Sequence, residues 1–237
     1  MNPNQSQTEQ FRNIHKDKKC FVCGAGPSIG NLDLSGIHHY PVICVNSSAI
    51  LMPWLEPGEE TSRFWVSTDA LCLEWDYFPQ KVAKFECTRL VRNAWDREKN
   101  NLKNVKLTFY KARKNNNDLK WEEEGILAGS SILSAIDLSL LMGCKKIILI
   151  GVDHTMVNGN SHFWQFLPVA DRPKREGRPG NFSPCQRQQE SVFKSNFRMF
   201  DILNKYSQSL GATIYNVSDI TRITSFQKIS FQDALTV

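Results

Sequence analysis

Residues 20–29, CFVCGAGPSI, place a short apolar run directly before two glycines, a proline and a serine. An apolar run of this length that is bounded by glycine is typical of a buried β-strand. Glycine permits backbone angles and close approaches that a side chain would block, and the start of a helix or turn presents unpaired amide groups. Because such amides favour negative charge, the stretch predicts an anion-binding turn after the first strand.

The rest of the sequence predicts a parallel arrangement around this strand. Two further apolar runs, 41–46 and 63–69, also end in small or polar residues and predict the next two strands. Segment 129–155 predicts a helix capped by Ser130 or Ser131, followed after a short link by a fully apolar strand. This order is typical of parallel α/β units. We therefore expect an α/β, Rossmann-like, doubly wound and mostly parallel sheet with helices on both faces.

Two more helices are indicated by the spacing of apolar residues. Segment 70–82 predicts a helix that is broken at Pro79, because proline disrupts a helix interior. Segment 186–211 carries apolar residues at helical spacing and leads into a strand at 212–218. These elements extend the α/β pattern to the end of the chain.

The 237 residues are enough for one domain with a large core. Residues 1–17 are polar and without periodicity, and we predict a flexible leader followed by a single domain over 18–237. Inside that domain, residues 156–185 are rich in asparagine, glycine, proline, arginine and aromatic residues. Connections this long are uncommon unless they are functional, so we predict a lid insertion at 156–185.

The charge distribution narrows the class of ligand. The chain carries a net charge of +5, and its basic residues are dispersed except in 172–180, RPKREGRPG. This balance favours an anionic small molecule over a duplex nucleic acid, and we predict no nucleic-acid partner. Arginine suits phosphate and carboxylate groups, so 172–180 could close over phosphates or an anionic acceptor; a solvated loop is the alternative.

Hydropathy and cysteine content indicate the compartment. No segment has the roughly 18 consecutive apolar residues of a membrane-spanning helix, and the N terminus lacks the apolar core of a signal peptide. We predict a cytoplasmic protein without a transmembrane segment, with peripheral membrane contact and homo-oligomerisation left open. The seven cysteines are expected to be reduced core thiols. Cys20 and Cys23 should point to opposite faces of the first strand, which argues against joint metal ligation.

Polar residues follow several predicted strands, where doubly wound sheets bind their ligands. Asn46–Ser48 follow the second strand and Asp69 the third. Asp153 follows the most apolar strand, where a carboxylate is well placed for a metal or a hydroxyl; a turn cap is the alternative. His154 and His162 are candidates for a general base, because histidine titrates closest to neutrality. We favour His162, in the predicted lid, and a packing or surface position is its alternative.

Five stretches of the sequence, taken in order, resemble a known superfamily. It groups the MptE-like 6-hydroxymethylpterin diphosphokinases, the motility-associated flagellin glycosyltransferases and the bacterial lipooligosaccharide sialyltransferases. The similarity extends over residues 18–230 and implies a Rossmann-like nucleotide-binding transferase domain. The stretches are FVCGAGPSIGNLD, VICVNSS, GILAGSSILSAIDLSLLMGCKKIILIGVDHT, SHF and GATIYNVS.

The resemblance to the sialyltransferases also implies residues that hold the nucleotide of a CMP-sugar. They belong to the glycine turn, the end of the second strand and the turn before the long helix. Carried over by position, with the serine that follows Asn46 added, they are Gly24, Gly26, Pro27, Ser28, Asn46, Ser47, Gly129, Ser130 and Ser131.

Three functions follow from these patterns. The favoured one is a glycosyltransferase that moves a sugar, as from a CMP-linked acidic donor, to a hydroxyl of a small molecule or glycan, with His162 and Asp153 as catalytic residues. The alternative is a diphosphokinase that uses ATP and Mg²⁺ on a pterin alcohol, with Asp69 and Asp153 holding the metal. The third is a nucleotide-binding module without catalysis.

Overall fold

The computed structural model describes residues 8–54, 62–92, 105, 107–113, 125–127, 129–175 and 186–237. In these residues, eight strands form one sheet and two short strands, β6 and β7 below, pair separately. The strands are β1 (Lys19–Cys23), β2 (Val42–Val45), β3 (Arg63–Ser67), β4 (Thr88–Arg92), β5 (Thr108–Tyr110), β6 (Ala112–Arg113), β7 (Ile126–Leu127), β8 (Lys146–Ile150), β9 (Thr213–Asn216) and β10 (Gln227–Lys228).

Every pairing in the main sheet is parallel, and the strand order is β10-β9-β8-β1-β2-β3-β4-β5. The α/β fold class with a doubly wound parallel sheet is thereby confirmed. The chain moves outward from β1 to β5, then returns to place β8 on the other side of β1 and continues to β9 and β10. Strand order therefore reverses between β1 and β8, and this switch point is where open parallel sheets bind ligands.

Three α-helices occur in the described residues: α1 (Ser131–Leu141), α2 (Gln186–Ser209) and α3 (Phe231–Thr236). Helices α1 and α2 pack on one face of the sheet, whereas α3 and a series of short helical turns cover the other face. The short 3-10 turns on that second face include Pro27–Asn31, Leu34–Ile37, Asn46–Trp54, Ala70–Glu74 and Phe163–Phe166, together with a π-helical turn, Phe78–Val82.

The predicted helix over 70–82 is two short helical turns, and the break does not lie at Pro79. The chain leaves the first turn at Trp75, which has extended backbone angles. Pro79 lies in the first turn of the second segment. Proline is tolerated at that position because the amide it lacks would have no partner there.

The central strands are buried on both faces, which explains their continuous apolar sequences. Cys20 packs in the cluster that includes α1 and α2, whereas Cys23 packs in the cluster on the other face. The prediction that these two cysteines point to opposite faces is confirmed. In the described part of the chain, no helix is long and apolar enough to cross a bilayer.

The predicted flexible leader is wrong for residues 8–17, which pack against the domain. The amides of Asn13 and His15 donate to carbonyl oxygens at the C-terminal end of α1, at 3.0 and 2.9 Å. These are carbonyls that a helix end leaves without partners. Phe11 adds apolar contact, as its ring packs edge-on against a phenylalanine of β3. Residues 1–7 lie outside the described residues.

We predict that His15 makes stability depend on pH. Both of its ring nitrogens are buried without a hydrogen-bond partner in the described structure, and burial lowers the pKa of His15. The folded state favours the neutral ring, so its contribution to stability is present above the ordinary pKa of about 6.5 and is lost as the pH falls below it. In urea unfolding, His15→Leu should lose less free energy of unfolding between pH 7 and pH 5 than the wild type.

The matched control is His39→Leu, which changes an exposed histidine. Its pH dependence should follow that of the wild type. Parallel curves for His15→Leu and wild type would contradict the prediction.

Candidate functional site

A cavity of about 400 Å³ opens at the switch point, at the carboxyl ends of β1, β2, β3 and β8. The N terminus of α1, segment 161–164 and part of α2 complete its walls. Most of the predicted site residues line it, namely Gly24, Gly26, Asn46, Ser47, Asp69, Ser130, Ser131, Asp153 and His162. Gly129 is an exposed neighbour of this set, and Pro27 and Ser28 line a different cavity.

The two glycines after β1 allow the backbone to pack against the end of β8. A Cβ atom at Gly24 would overlap the carbonyl oxygen of Gly151. A Cβ atom at Gly26 would lie 2.5 Å from Oδ2 of Asp153. Glycine is therefore required at both positions by contacts inside the protein, and not by the approach of a ligand.

The amides of the glycine turn are also used inside the protein. Gly24 and Gly26 donate their N–H groups to the carbonyl oxygens of Ile150 and Gly151, both at 2.8 Å. The Ser28 amide donates to Oδ2 of Asp153 at 2.8 Å. The prediction that these amides bind the anion of a ligand is therefore corrected: the anion that the turn holds is the carboxylate of Asp153.

Asp153 is only 2% exposed, and both of its carboxylate oxygens have partners. The Ser28 hydroxyl donates to Oδ1 at 2.6 Å, in addition to the amide contact with Oδ2. A carboxylate held in this way caps the turn, and its near-complete burial restricts the approach of a substrate or a metal. Of the two roles considered for Asp153, these contacts support the turn cap, and the catalytic role is not supported.

Asp69 begins the short helical turn after β3, and its Oδ1 accepts a hydrogen bond from the Leu71 amide at 2.9 Å. Among the described residues, no group of three histidine, cysteine, aspartate or glutamate side chains is arranged to hold a metal ion. The predicted metal pair of Asp69 and Asp153 thus consists of two caps on different turns.

Asn46 presents an oriented amide to the cavity. Its Oδ1 accepts hydrogen bonds from Ser131 Oγ at 2.9 Å and from Cys72 Sγ at 3.4 Å. Its backbone is left-handed, with φ of 48°, a conformation that asparagine tolerates better than most residues. Two donors on Oδ1 fix which end of the amide is oxygen, so the Nδ2 group is left to donate to a ligand.

The N terminus of α1 is the anion-favouring element of the cavity. Ser130 occupies the predicted cap position, but its side chain makes no capping hydrogen bond. Its Oγ is buried without a partner in the described structure. Ser131 Oγ is used by Asn46 and by the Thr68 amide, at 2.9 and 3.0 Å. The helix end therefore brings free amides, the positive end of its dipole and an unpaired hydroxyl to one wall.

His162 lines the cavity as a neutral side chain. The Ser161 hydroxyl lies 2.8 Å from Nδ1, and the imidazole packs beside Trp164 with ring centroids 5.3 Å apart. Burial lowers the pKa of His162 to about 4, and a hydrogen bond with Gln165 opposes this only in part. The ring is therefore unprotonated at neutral pH and able to accept a proton.

The side chain of His154 packs against α2. Its Nε2 lies 3.0 Å from Nδ2 of Asn196, and its ring contacts three phenylalanines of that helix. Burial lowers the pKa of His154 to about 4, and the charge of Arg222 adds to this effect. With its acceptor nitrogen used by an amide, His154 is the weaker of the two candidates for a base.

An aromatic wall of the cavity is formed by Trp75, Tyr77 and Trp164, of which Trp75 and Tyr77 were not assigned to the site from the sequence. The rings of Trp75 and Trp164 lie 5.6 Å apart, and those of Trp75 and Tyr77 are stacked at 6.2 Å. Trp164 also donates its Nε1–H to Ser47 Oγ at 3.1 Å. A wall of this kind suits a nucleobase or a sugar ring. The available signal was the position of residues 72–77 in the connection that follows the carboxyl end of β3.

The described part of the predicted lid is fastened to the segment after β3. Arg175 forms an ion pair with Glu74 at 2.5 Å, and the Asp76 amide donates to the Lys174 carbonyl at 2.8 Å. Arg175 thus pairs with an acidic residue and Arg172 donates to the Leu167 carbonyl, and neither lines the cavity. Among the described residues, no lysine or arginine lines the cavity. Residues 176–185 of the predicted lid lie outside the described residues.

No protein-family model and no curated protein matches this sequence. Among solved structures, the fold is similar to that of CstII, a sialyltransferase from Campylobacter jejuni, solved in complex with the substrate analogue cytidine-5'-monophosphate. The similarity covers 91% of this chain and 86% of that one, with 14% sequence identity and a TM-score of 0.48. A likeness at this level says nothing about which residues of this chain bind a ligand.

We predict that Gly24→Ala lowers the free energy of unfolding by about 1–3 kcal/mol, because the added methyl group overlaps the Gly151 carbonyl. Gly30→Ala is the matched control. A Cβ atom there would make only an ordinary contact, 3.7 Å from that of Phe163. Urea unfolding should show the control at or slightly above wild-type stability. Equal stability of the two variants would contradict the proposed packing role of Gly24.

Proposed function

We propose that this chain is a nucleotide-dependent transferase, a glycosyltransferase that moves a sugar from a nucleotide donor to an acceptor hydroxyl. The observation that carries the proposal is the cavity at the switch point. It brings together the oriented amide of Asn46, the unpaired hydroxyl of Ser130 and the free N terminus of α1. The position is the one where doubly wound sheets bind nucleotides.

Each wall of the cavity has a use in binding a nucleotide. Phosphate oxygens accept hydrogen bonds from the amides at the start of α1 and from the Ser130 hydroxyl. Asn46 Nδ2 donates to a carbonyl or ring nitrogen of the base, or to a ribose oxygen. The base or the sugar stacks on the aromatic wall. A volume of about 400 Å³ lies within the usual range for small-molecule sites.

The chemistry requires the anomeric C–O bond to the donor phosphate to break and a new bond to the acceptor oxygen to form. The electron pair of the broken bond leaves with the phosphate, whose negative charge the N terminus of α1 stabilises. The acceptor hydroxyl gives up its proton as the new bond forms, and His162 accepts it. The step uses the tautomer in which Nδ1–H donates to Ser161 Oγ, because only that tautomer leaves a lone pair on Nε2 for the proton.

The donor that we favour is a CMP-linked acidic sugar, and the support for it is the sequence resemblance to the sialyltransferases. The diphosphokinase alternative needs carboxylates free to hold Mg²⁺ near ATP. Asp69 and Asp153 both cap turns, and no observation on the described residues favours that alternative over a sugar transfer.

We predict that the protein binds a cytidine nucleotide and that Ser130 and Asn46 contribute to affinity. Titration calorimetry with CMP, CDP, UDP, GDP and ATP, each with and without Mg²⁺, should rank CMP or CDP first. Ser130→Ala should weaken binding about 10- to 150-fold, because one hydrogen bond to a charged group is lost. Asn46→Gly removes the amide while keeping a residue that tolerates the left-handed backbone, and it should have a similar effect.

Ser209→Ala is the matched control for these substitutions. Ser209 lies at the far end of α2, and its hydroxyl donates to the Tyr206 carbonyl. The affinity of the Ser209→Ala variant for nucleotide should equal that of the wild type. Absence of binding across the whole panel would refute the proposal, and tight binding of ATP with Mg²⁺ alone would favour the diphosphokinase.

We predict that His162→Asn abolishes transfer without changing the affinity for nucleotide. Release of CMP from a CMP-sugar, with water as acceptor, provides the assay. For the wild type, kcat/KM should remain high down to about pH 5 and fall only near pH 4, because a base acts in its unprotonated form and the pKa of His162 is lowered to about 4. Circular dichroism at each pH checks that the protein stays folded. Full activity of His162→Asn would exclude this residue as the base.

A further inference from the structure

A second, larger cavity of about 940 Å³ adjoins the first. It lies between the turns that follow β1, the segment from 157 to 167, the loop after β9 and the start of α3. Most of its lining is apolar, and two of the apolar side chains, Phe166 and Ile220, are 47% and 37% exposed to solvent. The apolar lining includes Leu32, Leu34, Val157, Phe166, Ile220 and Phe231.

The two cavities share one wall. Gly26 lines the first cavity and its neighbour Pro27 the second; His162 lines the first and Phe163 the second. The wall is held together by a hydrogen bond from the Phe163 amide to the Ala25 carbonyl, at 2.8 Å. A molecule in the second cavity is therefore separated from the first by the thickness of one short turn.

The charged side chains of the second cavity are both acidic. Asp33 and Asp219 line it, and no lysine or arginine does so among the described residues. Hydrogen bonds from Ser35 lower the pKa of Asp33, so this carboxylate is ionised at neutral pH. In a chain with a net charge of +5, this region repels anions, although the protein as a whole attracts them.

From this combination we infer that the second cavity binds the apolar part of a non-anionic amphiphile, one whose polar end is uncharged or positively charged. The volume suits a small molecule, the lining suits an alkyl or aryl group, and the two exposed carboxylates disfavour an anionic head group. Its further assignment as the acceptor site, with the acceptor hydroxyl directed over the shared wall toward His162, rests on the proposed function.

The test uses three probes with the same octyl chain, each below its micelle concentration: octyl glucoside, octyltrimethylammonium and octyl sulfate. Titration calorimetry should show binding of the first two and at least fivefold weaker binding of octyl sulfate. Shortening the octyl chain of the glucoside should weaken binding by up to about fourfold per methylene group, because each buried methylene contributes separately. Octyl sulfate that binds as tightly as octyltrimethylammonium would overturn the inference.

Three changes test whether the probes bind in this cavity. Gly30 lines the cavity, and the space beside it accepts a Cβ atom without overlap. Gly30→Leu therefore fills part of the cavity and should lower the affinity for octyl glucoside at least tenfold. The double variant Asp33→Asn with Asp219→Asn should raise the affinity for octyl sulfate to that for octyltrimethylammonium and leave the affinity for octyl glucoside unchanged. Ile14→Ala, an exposed apolar residue of the N-terminal segment that lines neither cavity, is the control.

Ile220→Ser provides a second way to change the lining, at a partly exposed position where folding is little affected. Ile220→Ser should lower the affinity for octyl glucoside. If both Gly30→Leu and Ile220→Ser bind the glucoside as tightly as the wild type, the proposed site is refuted. Nucleotide titrations on the same variants keep the two proposals distinct. If nucleotide binds but none of the variants changes the affinity for the glucoside, only the second-cavity proposal is refuted. If no nucleotide binds but the variants weaken glucoside binding, only the proposed function is refuted.

Discussion

The carboxylate of Asp153 and the backbone of the turn at 24–28 form the contact on which both cavities depend. Asp153 receives the amide and the hydroxyl of Ser28, and the two glycines allow β1 and β8 to approach until their backbones are in contact. A carboxyl group whose two oxygens both take part in hydrogen bonds is a strong partner, and here it is almost completely buried. The turn that it fixes forms the wall between the two cavities, so the position of each cavity follows from this one interaction.

A glycine turn after the first strand of such a sheet invites comparison with a phosphate-binding loop, but in this chain the turn binds an internal anion. The charge-stabilising role passes to the N terminus of α1, which lies across the cavity and keeps its amides and one hydroxyl free of partners in the described structure. The two elements have the same electrostatic character. The glycine turn is occupied by the Asp153 side chain, so the N terminus of α1 is the element that is available to a ligand.

The strands and the general position of the site could be predicted from the sequence, because buried parallel strands appear as continuous apolar runs and polar residues mark their carboxyl ends. Asn46 was found in this way, whereas Ser130 was assigned to the site through the sequence resemblance to the sialyltransferases. The role of Asp153 depends on Ser28, which lies 125 residues earlier in the chain, and no local pattern reports such a contact. The two turns Ala70–Glu74 and Phe78–Val82 were expected as one helix broken at Pro79, because segments this short have too few residues to show their own period. Trp75 and Tyr77 lie between the turns Ala70–Glu74 and Phe78–Val82, which explains why their place in the cavity was not foreseen.

The buried hydroxyl of Ser130 has a consequence for how such a protein changes over evolutionary time. A hydroxyl without a partner in the interior disfavours the folded state by about 1–3 kcal/mol relative to a side chain without it. Selection for stability alone would replace Ser130 with alanine, because the Ser130 side chain makes no capping hydrogen bond that alanine would lose. A lineage that loses the ligand should therefore drift to alanine at this position, while a serine kept across diverged relatives would mark those that still bind it.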